Sequence, residues 1–301
     1  MTATDATGGN PSSFLIPQSP HADRSLIEVL TPTPAGEPGT FTGLPNPYGV
    51  MGIYGGHFLG QALSAALATV DESKLAHSLH AYFLHKGDPE VPIEYRVTTL
   101  RDGRSSSGRS IQAIQNGREV FHMIASFKVV ESGDEHQPLP PEVPSAAELV
   151  AAREARGEEP WPFPPSQNGW CEIEWASPTF REYLPDREPR LRVWARVPGG
   201  DELDVRERQV ALAFLSDAPI VFNSVLPHGV PFETHFVTSL DHSVWFHRPV
   251  DPSQWLLFDQ SSTAAADGRG LNEGRMYDPD GALVMTVAQE SMLRRIPSGD
   301  G

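Results

Sequence analysis

Two segments of the chain, residues 57–70 and 207–225, carry apolar residues at helical spacing. Each is followed by shorter runs of alternating or β-branched residues, which is the pattern of strands. Asn116-Gly117 and Asp280-Gly281 are dipeptides that favour hairpin turns. The strand-like runs beside these turns lie at residues 93–100, 109–115, 120–129, 255–258 and 283–293. The pattern predicts the same unit twice: one mostly apolar helix followed by an antiparallel sheet.

The two units also repeat a series of short motifs in the same order. The first series lies at residues 78–79, 88–89, 102–104 and 116–117, and the second at 239–240, 251–252, 267–269 and 280–281. Internal repeats of this kind indicate a duplicated unit. A helix that is apolar on nearly all sides is buried, so each sheet is expected to wrap its helix. The predicted fold class is α+β: a tandem hot-dog, each half an antiparallel sheet around a long central helix.

Changes in composition divide the chain into four segments. Residues 1–22 are polar and predict a disordered tail. Residues 23–130 form the first hot-dog. Residues 131–167 are rich in Pro, Glu and Ala and predict a linker, with one short helix at 146–156. Residues 168–301 form the second hot-dog, which carries the single acid of the apolar stretch AFLSDAPIVF at 213–222.

That acid, Asp217, lies on the apolar stripe of the second predicted helix. At ~100° per residue, Phe214 and Ile220 fall within about 60° of it. A carboxylate on a stripe that faces the core must find partners, raise its pKa or take part in chemistry. In the first half the repeat places the neutral amide Gln61 at the same position. The pair suggests one functional site and one silenced copy, although a structural buried acid remains an alternative at this point.

Charge and cysteine content narrow the class of protein. The 301 residues carry a formal net charge of −16, which argues against a general nucleic-acid or anionic-membrane binder. Cys171 is the single cysteine, which favours a reducing, cytoplasmic compartment. No run approaches the ~20 apolar residues of a membrane span, and the first residues lack a secretory pattern. No HExxH or paired CxxC motif is present, so we expect no metal.

Five motifs carry a resemblance to a known family. They read GGHFLGQAL at 55–63, HSLHAYFL at 77–84, LSD at 215–217, SLDHSVWFHRP at 239–249 and QE at 289–290. Over about residues 25–295 the chain resembles the acyl-CoA thioesterase II family (TesB type). The resemblance implies a double hot-dog that hydrolyses acyl-CoA to free fatty acid and CoA, without metal or cofactor.

The resemblance also implies a catalytic set. The family's acid, hydroxyl and glutamine fall on Asp217, Ser239 and Gln289 of this chain. Two positions depart from the family pattern: His57 stands where many members have glutamine, and Pro219 follows the acid by two residues. Proline lacks an N–H and is expected to kink the helix beside the carboxylate.

Thioester hydrolysis by water requires a base, donors for the developing oxyanion and a dry site. Asp217 is the candidate base or water-orienting group, with Ser239 and Gln289 holding the water and the carboxylate. The oxyanion donor is expected to be a backbone N–H near a helix N-terminus, either at Gly55-Gly56 or at the start of the helix of Asp217.

The substrate is expected to be an acyl-CoA, whose phosphates favour arginine or lysine contacts. Arg104 and Arg269, in the two Asp-Gly-Arg turns, are the candidates, with Arg101 and Arg109 nearby. Substrate contacts are also expected at the glycine-rich segment, from Gly55, Gly56 and His57.

Three other interpretations stay open. Ser239 could be a covalent nucleophile, but its neighbour His242 is three residues away and at strand spacing points to the opposite face. A hot-dog enoyl-CoA hydratase would need an acid and a histidine about five residues apart, whereas Asp217 and His228 are eleven apart. A non-catalytic acyl-CoA or lipid sensor would not need the acid. In each case a homo-oligomer, a dimer or a tetramer, is expected.

Overall fold

The computed structural model describes residues 21, 23–46, 52–160, 169–181, 184 and 186–297. The predicted tail at residues 1–22 lies almost wholly outside these ranges, as does the end of the predicted linker. Within the described ranges, no helix is long and apolar enough to cross a membrane.

The strands form one antiparallel sheet in the order β1-β2-β4-β5-β6-β3-β10-β13-β12-β11-β8-β7, and β9 pairs with β13 beyond the end of β10. All five strand-like runs of the sequence overlap observed strands. The strand bounds are β1 Thr33–Pro34, β2 Thr40–Gly43, β3 Lys74–Phe83, β4 Ile93–Asp102, β5 Ser106–Gln115, β6 Arg118–Val129, β7 Glu172–Trp175, β8 Arg190–Arg196, β9 His235–Ser239, β10 Asp241–Phe246, β11 Leu256–Ala266, β12 Arg269–Tyr277 and β13 Leu283–Arg295.

In the described part of the chain, four α-helices accompany the sheet: α1 (Leu26–Leu30), α2 (Gly55–Leu67), α3 (Ala146–Ala155) and α4 (Val205–Leu215). α2 is buried along nearly its whole length and packs against β3, β4, β5 and β6. α3 is the short helix expected between the halves. The arrangement is the predicted tandem hot-dog, since each half bends its strands around an apolar segment.

The central segment of the second half is not the continuous helix predicted over residues 207–225. α4 ends at Leu215, and a separate 3-10 helix covers Ile220–Val225. Pro219 begins this second segment, because it has no N–H to continue the helical ladder. The strands of the second half contact the 3-10 helix, whereas α4 packs against α2 and β3 of the first half. Asp217 therefore lies in the break between the two segments and not inside a helix.

The halves are joined along β3 and β10, and one side chain closes the end of this seam. β10 pairs with β3 only as far as Ser78. Beyond that point Gln209 of α4 acts like a strand partner: its Oε1 accepts the Ala76 N–H at 2.9 Å and its Nε2 donates to the Ala76 carbonyl at 2.7 Å. Two buried backbone groups of one half are thus satisfied by a side chain of the other.

We predict that Gln209→Leu lowers the free energy of unfolding by about 2–4 kcal/mol, because it leaves both backbone groups of Ala76 buried without a partner. Denaturant titration measures the effect. The matched control is Gln254→Leu at an exposed position, which should change stability by less than about 0.5 kcal/mol. Equal effects of the two substitutions would contradict this account of the seam.

Candidate active site

Asp217 is buried, with 6% of its surface exposed, and both carboxylate oxygens accept hydrogen bonds. Oδ1 accepts from Gln289 Nε2 at 2.7 Å, and Oδ2 accepts from the backbone N–H of Gly56 at 3.1 Å. The N–H of Gly55 also favours the charged form. The donors come from β13 of the second half and from α2 of the first, so the carboxylate lies between the halves.

The carboxylate caps the N-terminus of α2. The N-cap residue of that helix, Tyr54, makes no side-chain cap hydrogen bond, and helix N-termini leave backbone N–H groups that favour an anion. A Cβ at Gly55 would lie 2.7 Å from Asp217 Oδ2, and one at Gly56 would overlap the Phe214 carbonyl oxygen. The Gly55-Gly56 pair is therefore needed for the carboxylate and α4 to approach the helix end.

Burial raises the pKa of Asp217 to about 7, while the hydrogen bonds from Gln289, Gly56 and Gly55 lower it in part. An ordinary aspartate has a pKa near 4 and is a weak base. At about 7 the group is largely ionised at slightly alkaline pH and still accepts a proton readily, which suits a general base.

A β-bulge decides which side chains of β9 and β10 face this carboxylate. Ser239 is opposite Ser291 and Ser243 is opposite Ala288, so four steps along one chain match three along β13. The extra residue brings both Ser239 and His242 to the inner face of the sheet. The expectation that His242 points to the opposite face was therefore wrong.

The bulge is held by backbone and side-chain bonds to one residue of β13. Glu290 accepts the Leu240 N–H at 2.8 Å through its carbonyl, and its own N–H donates to Asp241 Oδ1 at 2.7 Å. Asp241 thus satisfies the amide that the extra residue would otherwise leave without a strand partner.

His242 is fully buried and contacts the site directly. Its Nδ1 lies 2.9 Å from Gln289 Nε2 and its Nε2 lies 2.8 Å from Ser216 Oγ. Burial lowers its pKa to about 3, so the ring is neutral. His242 and Ser216 were not predicted as site residues, although both lie inside the motifs that carry the family resemblance.

Ser239 lies on the same face of the sheet as Gln289 and is partly buried. It faces Ser291, two residues beyond Gln289, so Ser239 and Gln289 are diagonal neighbours about 7–8 Å apart. Among the described residues no hydrogen bond joins Ser239 to Asp217, Gln289 or His242. Its predicted role with a bound water stays a prediction, and both ring nitrogens of His242 already have other partners.

The counterpart residue in the first half has a purely internal set of partners. Gln61 Nε2 donates to the carbonyls of Val29 at 2.7 Å and Leu44 at 3.1 Å, and its Oε1 accepts from the Tyr95 hydroxyl at 3.0 Å. Every polar group of Gln61 is used to hold surrounding segments of the chain. This pairing agrees with the interpretation of Gln61 as the silent copy.

The structure does not bring the remaining predicted residues to Asp217. The His57 ring is fully buried and pairs with the Leu44 carbonyl and Asn46, so no ring nitrogen is left for a ligand. Arg104 is exposed in the turn between β4 and β5. This turn lies at the C-terminal end of α2, whereas Asp217 lies at its N-terminus, and a helix of this length separates its two ends by ~20 Å.

Arg269 lies on the outer face of the sheet, opposite to the face of Gln289. It pairs there with Asp267 at 3.3 Å and Glu290 at 3.2 Å. Arg109, which was considered with Arg104 and Arg269 as a contact for the CoA phosphates, is buried and donates hydrogen bonds to Asp102 and Thr69. Within the described ranges, no group of three or more metal-binding side chains is placed to hold an ion.

Family models match both halves of the chain. The acyl-CoA thioesterase N-terminal domain matches residues 44–128, and the acyl-CoA thioesterase C-terminal domain matches residues 140–293. The chain belongs to the acyl-CoA thioesterase family. The candidate site of this family member lies between the two matched domains, because Gly55 and Gly56 fall in the first and Asp217 and Gln289 in the second.

Relatives of this thioesterase family are similar over most of their length. Acyl-coenzyme A thioesterase 8 of Homo sapiens is 36% identical over 259 residues, which cover 81% of this chain and 81% of the relative. Acyl-CoA thioesterase 2 of Haemophilus influenzae is 35% identical over 262 residues, which cover 84% of this chain and 92% of the relative. The crystal structure of acyl-CoA thioesterase II TesB2 from Mycobacterium marinum has 32% sequence identity and a TM-score of 0.76. The match covers 91% of this chain and 99% of that one.

We predict that the buried charge of Asp217 lowers stability above neutral pH. The folded pKa is raised, so this group's contribution is most favourable below the unfolded pKa and is lost as pH rises through about 7. The free energy of unfolding of the natural protein, measured relative to Asp217→Asn, should fall by roughly 3 kcal/mol from pH 5 to pH 8. A constant difference across that range would contradict the raised pKa.

Proposed function

We propose that this protein hydrolyses acyl-CoA thioesters to free fatty acid and CoA, with water activated by Asp217. The observation that carries the proposal is the buried carboxylate, which is held by Gln289 and the N-terminus of α2 and has a pKa near neutrality. Family membership and the activities named for its relatives support the same reaction.

In the proposed mechanism, Asp217 takes a proton from a water that attacks the thioester carbonyl. The tetrahedral intermediate then expels the CoA thiolate, which receives that proton as the carboxylate is regenerated. Gln289 holds the carboxylate in register, and Ser239, on the same face of the sheet, is proposed to hold the water.

The source of the oxyanion donors is narrowed by the helix ends. α4 begins at Val205, a full helix length before Asp217, whereas the Gly55-Gly56 end of α2 touches the carboxylate. The Gly56 N–H donates to Asp217, so any oxyanion contact at this end has to share or replace that bond. We therefore propose the region of Gly55-Gly56 for the oxyanion.

The structure favours hydrolysis over the two other functions considered. A sensor would gain nothing from a desolvated carboxylate whose charged form is disfavoured by burial. For the hydratase, His228 would have to work with Asp217, yet its ring packs at 6.2 Å from that of His235.

Contacts to the CoA phosphates remain proposals for Arg104 and Arg269. Both are at least partly exposed cations, and the chain as a whole is acidic. Arg104→Glu and Arg269→Glu are expected to raise KM for acyl-CoA several-fold and leave kcat nearly unchanged, because charge at the phosphates acts on binding. An unchanged KM in either variant would remove that residue from the proposal.

We also propose a cytoplasmic, homo-oligomeric protein. The single cysteine is buried and needs no oxidising compartment. Tyr82, Ile124 and Trp245 are exposed apolar side chains on the same outer face of neighbouring strands β6, β3 and β10, and such patches mark interfaces. Light scattering should give a mass of two or four chains; a monomer at micromolar concentration would refute the assembly.

We predict that Asp217→Asn lowers kcat/KM for acyl-CoA at least roughly a hundredfold, about 2.7 kcal/mol of transition-state stabilisation. CoA release from acyl-CoAs of graded chain length, followed with a thiol-reactive dye, measures this. For the natural protein, kcat/KM should rise with pH and level off above about 7.

The control variant is Asp259→Asn, which alters a partly buried aspartate that pairs with Arg192 outside the site. It should keep activity within about twofold of the natural protein. If the natural protein binds acyl-CoA of every length but releases no CoA, the sensor function replaces the proposed one.

A further inference from the structure

One buried atom of the site, Gln289 Oε1, has no hydrogen-bond partner within the described ranges. The amide nitrogen of the same side chain donates twice, to Asp217 Oδ1 at 2.7 Å and toward His242 Nδ1 at 2.9 Å. A buried carbonyl oxygen left without a partner costs free energy. An acceptor of this kind beside the catalytic carboxylate is suited to bind a water.

The orientation of the Gln289 amide depends on its two neighbours. An ionised Asp217 only accepts hydrogen bonds, so it requires the NH₂ end. His242 Nδ1 accepts from that NH₂ group only when the ring proton is on Nε2; with the proton on Nδ1, the ring would instead require the amide oxygen.

Ser216 determines which nitrogen of His242 carries the proton. The Ser216 hydroxyl lies 2.8 Å from the Ala213 carbonyl oxygen, and only the hydroxyl can donate across that distance. Its single proton is then used, so it offers His242 Nε2, also 2.8 Å away, only a lone pair. Nε2 must therefore donate, and Nδ1 is left as an acceptor.

We propose that Ser216 and His242 are positioning residues that fix the Gln289 amide with its nitrogen toward Asp217 and its oxygen Oε1 toward the attacking water. The chain of donors runs from His242 Nε2–H to Ser216 Oγ–H to the Ala213 carbonyl at the end of α4. Neither residue touches the reacting atoms. The proposal rests on the proposed hydrolysis, and it adds the residues that decide how Gln289 holds the water.

Few other ionisable groups face the hydrogen-bonded series His242–Ser216–Ala213. His242 Nδ1 lies 3.9 Å from Asp217 Oδ1, and from the α2 side Tyr54 directs its hydroxyl to the Phe214 carbonyl. On β13 the nearest carboxylate, Glu290, is on the outer face, where it pairs with Arg269. If substituting Ser216 or His242 changes the pH dependence of kcat, that change can therefore be assigned to Asp217 and His242.

The first test is the tautomer of His242 in the natural protein. Nitrogen NMR of ¹⁵N-histidine-labelled protein at pH 8, with His242→Asn used to assign the resonance, should show a neutral ring protonated at Nε2. A ring protonated at Nδ1, or at both nitrogens, would overturn the proposal. This measurement does not depend on activity, so it stands or fails separately from the proposed function.

The second test compares two substitutions of His242 for CoA release. Asparagine places a side-chain oxygen near the position of Nδ1 and can still accept from Gln289, whereas leucine cannot. His242→Leu is expected to lower kcat roughly tenfold or more with KM nearly unchanged, and His242→Asn to recover most of kcat. Equal losses in two folded variants would overturn the positioning role.

The third test removes only the hydroxyl that sets the tautomer. Ser216→Ala should lower kcat several-fold and move the rise of kcat with pH to higher pH, because a Gln289 amide free to turn no longer donates steadily to the ionised carboxylate. Ser107→Ala is the matched control, a buried serine bonded to Lys74 at the far end of α2. It should keep the natural kcat and pH profile.

An unchanged pH profile in Ser216→Ala, or the same change in both serine variants, would refute the role of Ser216. If the natural protein releases no CoA from any acyl-CoA, the proposed function fails. In that case the NMR result alone decides whether the tautomer assignment holds.

Discussion

The structure depends on one buried carboxylate that joins the two halves. Asp217 belongs to the second half, but it caps the central helix of the first by accepting from Gly56 at its N-terminus. Because the carboxylate approaches Gly55 and the Phe214 carbonyl approaches Gly56, the first two helical residues must be glycine, and Tyr54 makes no side-chain cap of its own. This capping interaction ties the N-terminus of α2 to the segment that follows α4, and it fixes the location of the site between the halves.

The duplicated halves solve the same packing problem differently. In the first half the central helix is continuous, and Gln61 inside it spends all its polar groups on neighbouring segments. In the second half the central helix is interrupted before Pro219. A carboxylate within a continuous helix would find the backbone N–H groups around it already bonded, whereas one in a break reaches the unpaired N–H groups of another helix end. The break is therefore a condition for a buried, hydrogen-bonded acid.

Periodicity and turn dipeptides were enough to predict the duplicated fold, and the place of Asp217 on the apolar stripe predicted its burial. The face of His242 was not predictable in this way, because one extra residue opposite Glu290 reverses the alternation. The contact by which Gln209 closes the seam was also not predicted from the sequence, since it depends on where β10 stops pairing with β3. Both misses concern register between distant segments, which local patterns do not encode.

The neutrality of the groups around Asp217 is what keeps its basicity useful. An arginine, a lysine or a charged histidine at the position of Gln289 or His242 would lower the pKa of the carboxylate well below neutrality and leave a weak base. Gln289 and the glycine N–H groups orient the carboxylate without adding charge, and burial keeps His242 neutral, with a pKa of about 3. The site thus combines fixed geometry with a pKa near 7, and the same apolar surroundings produce both the neutral ring and the raised pKa of the acid.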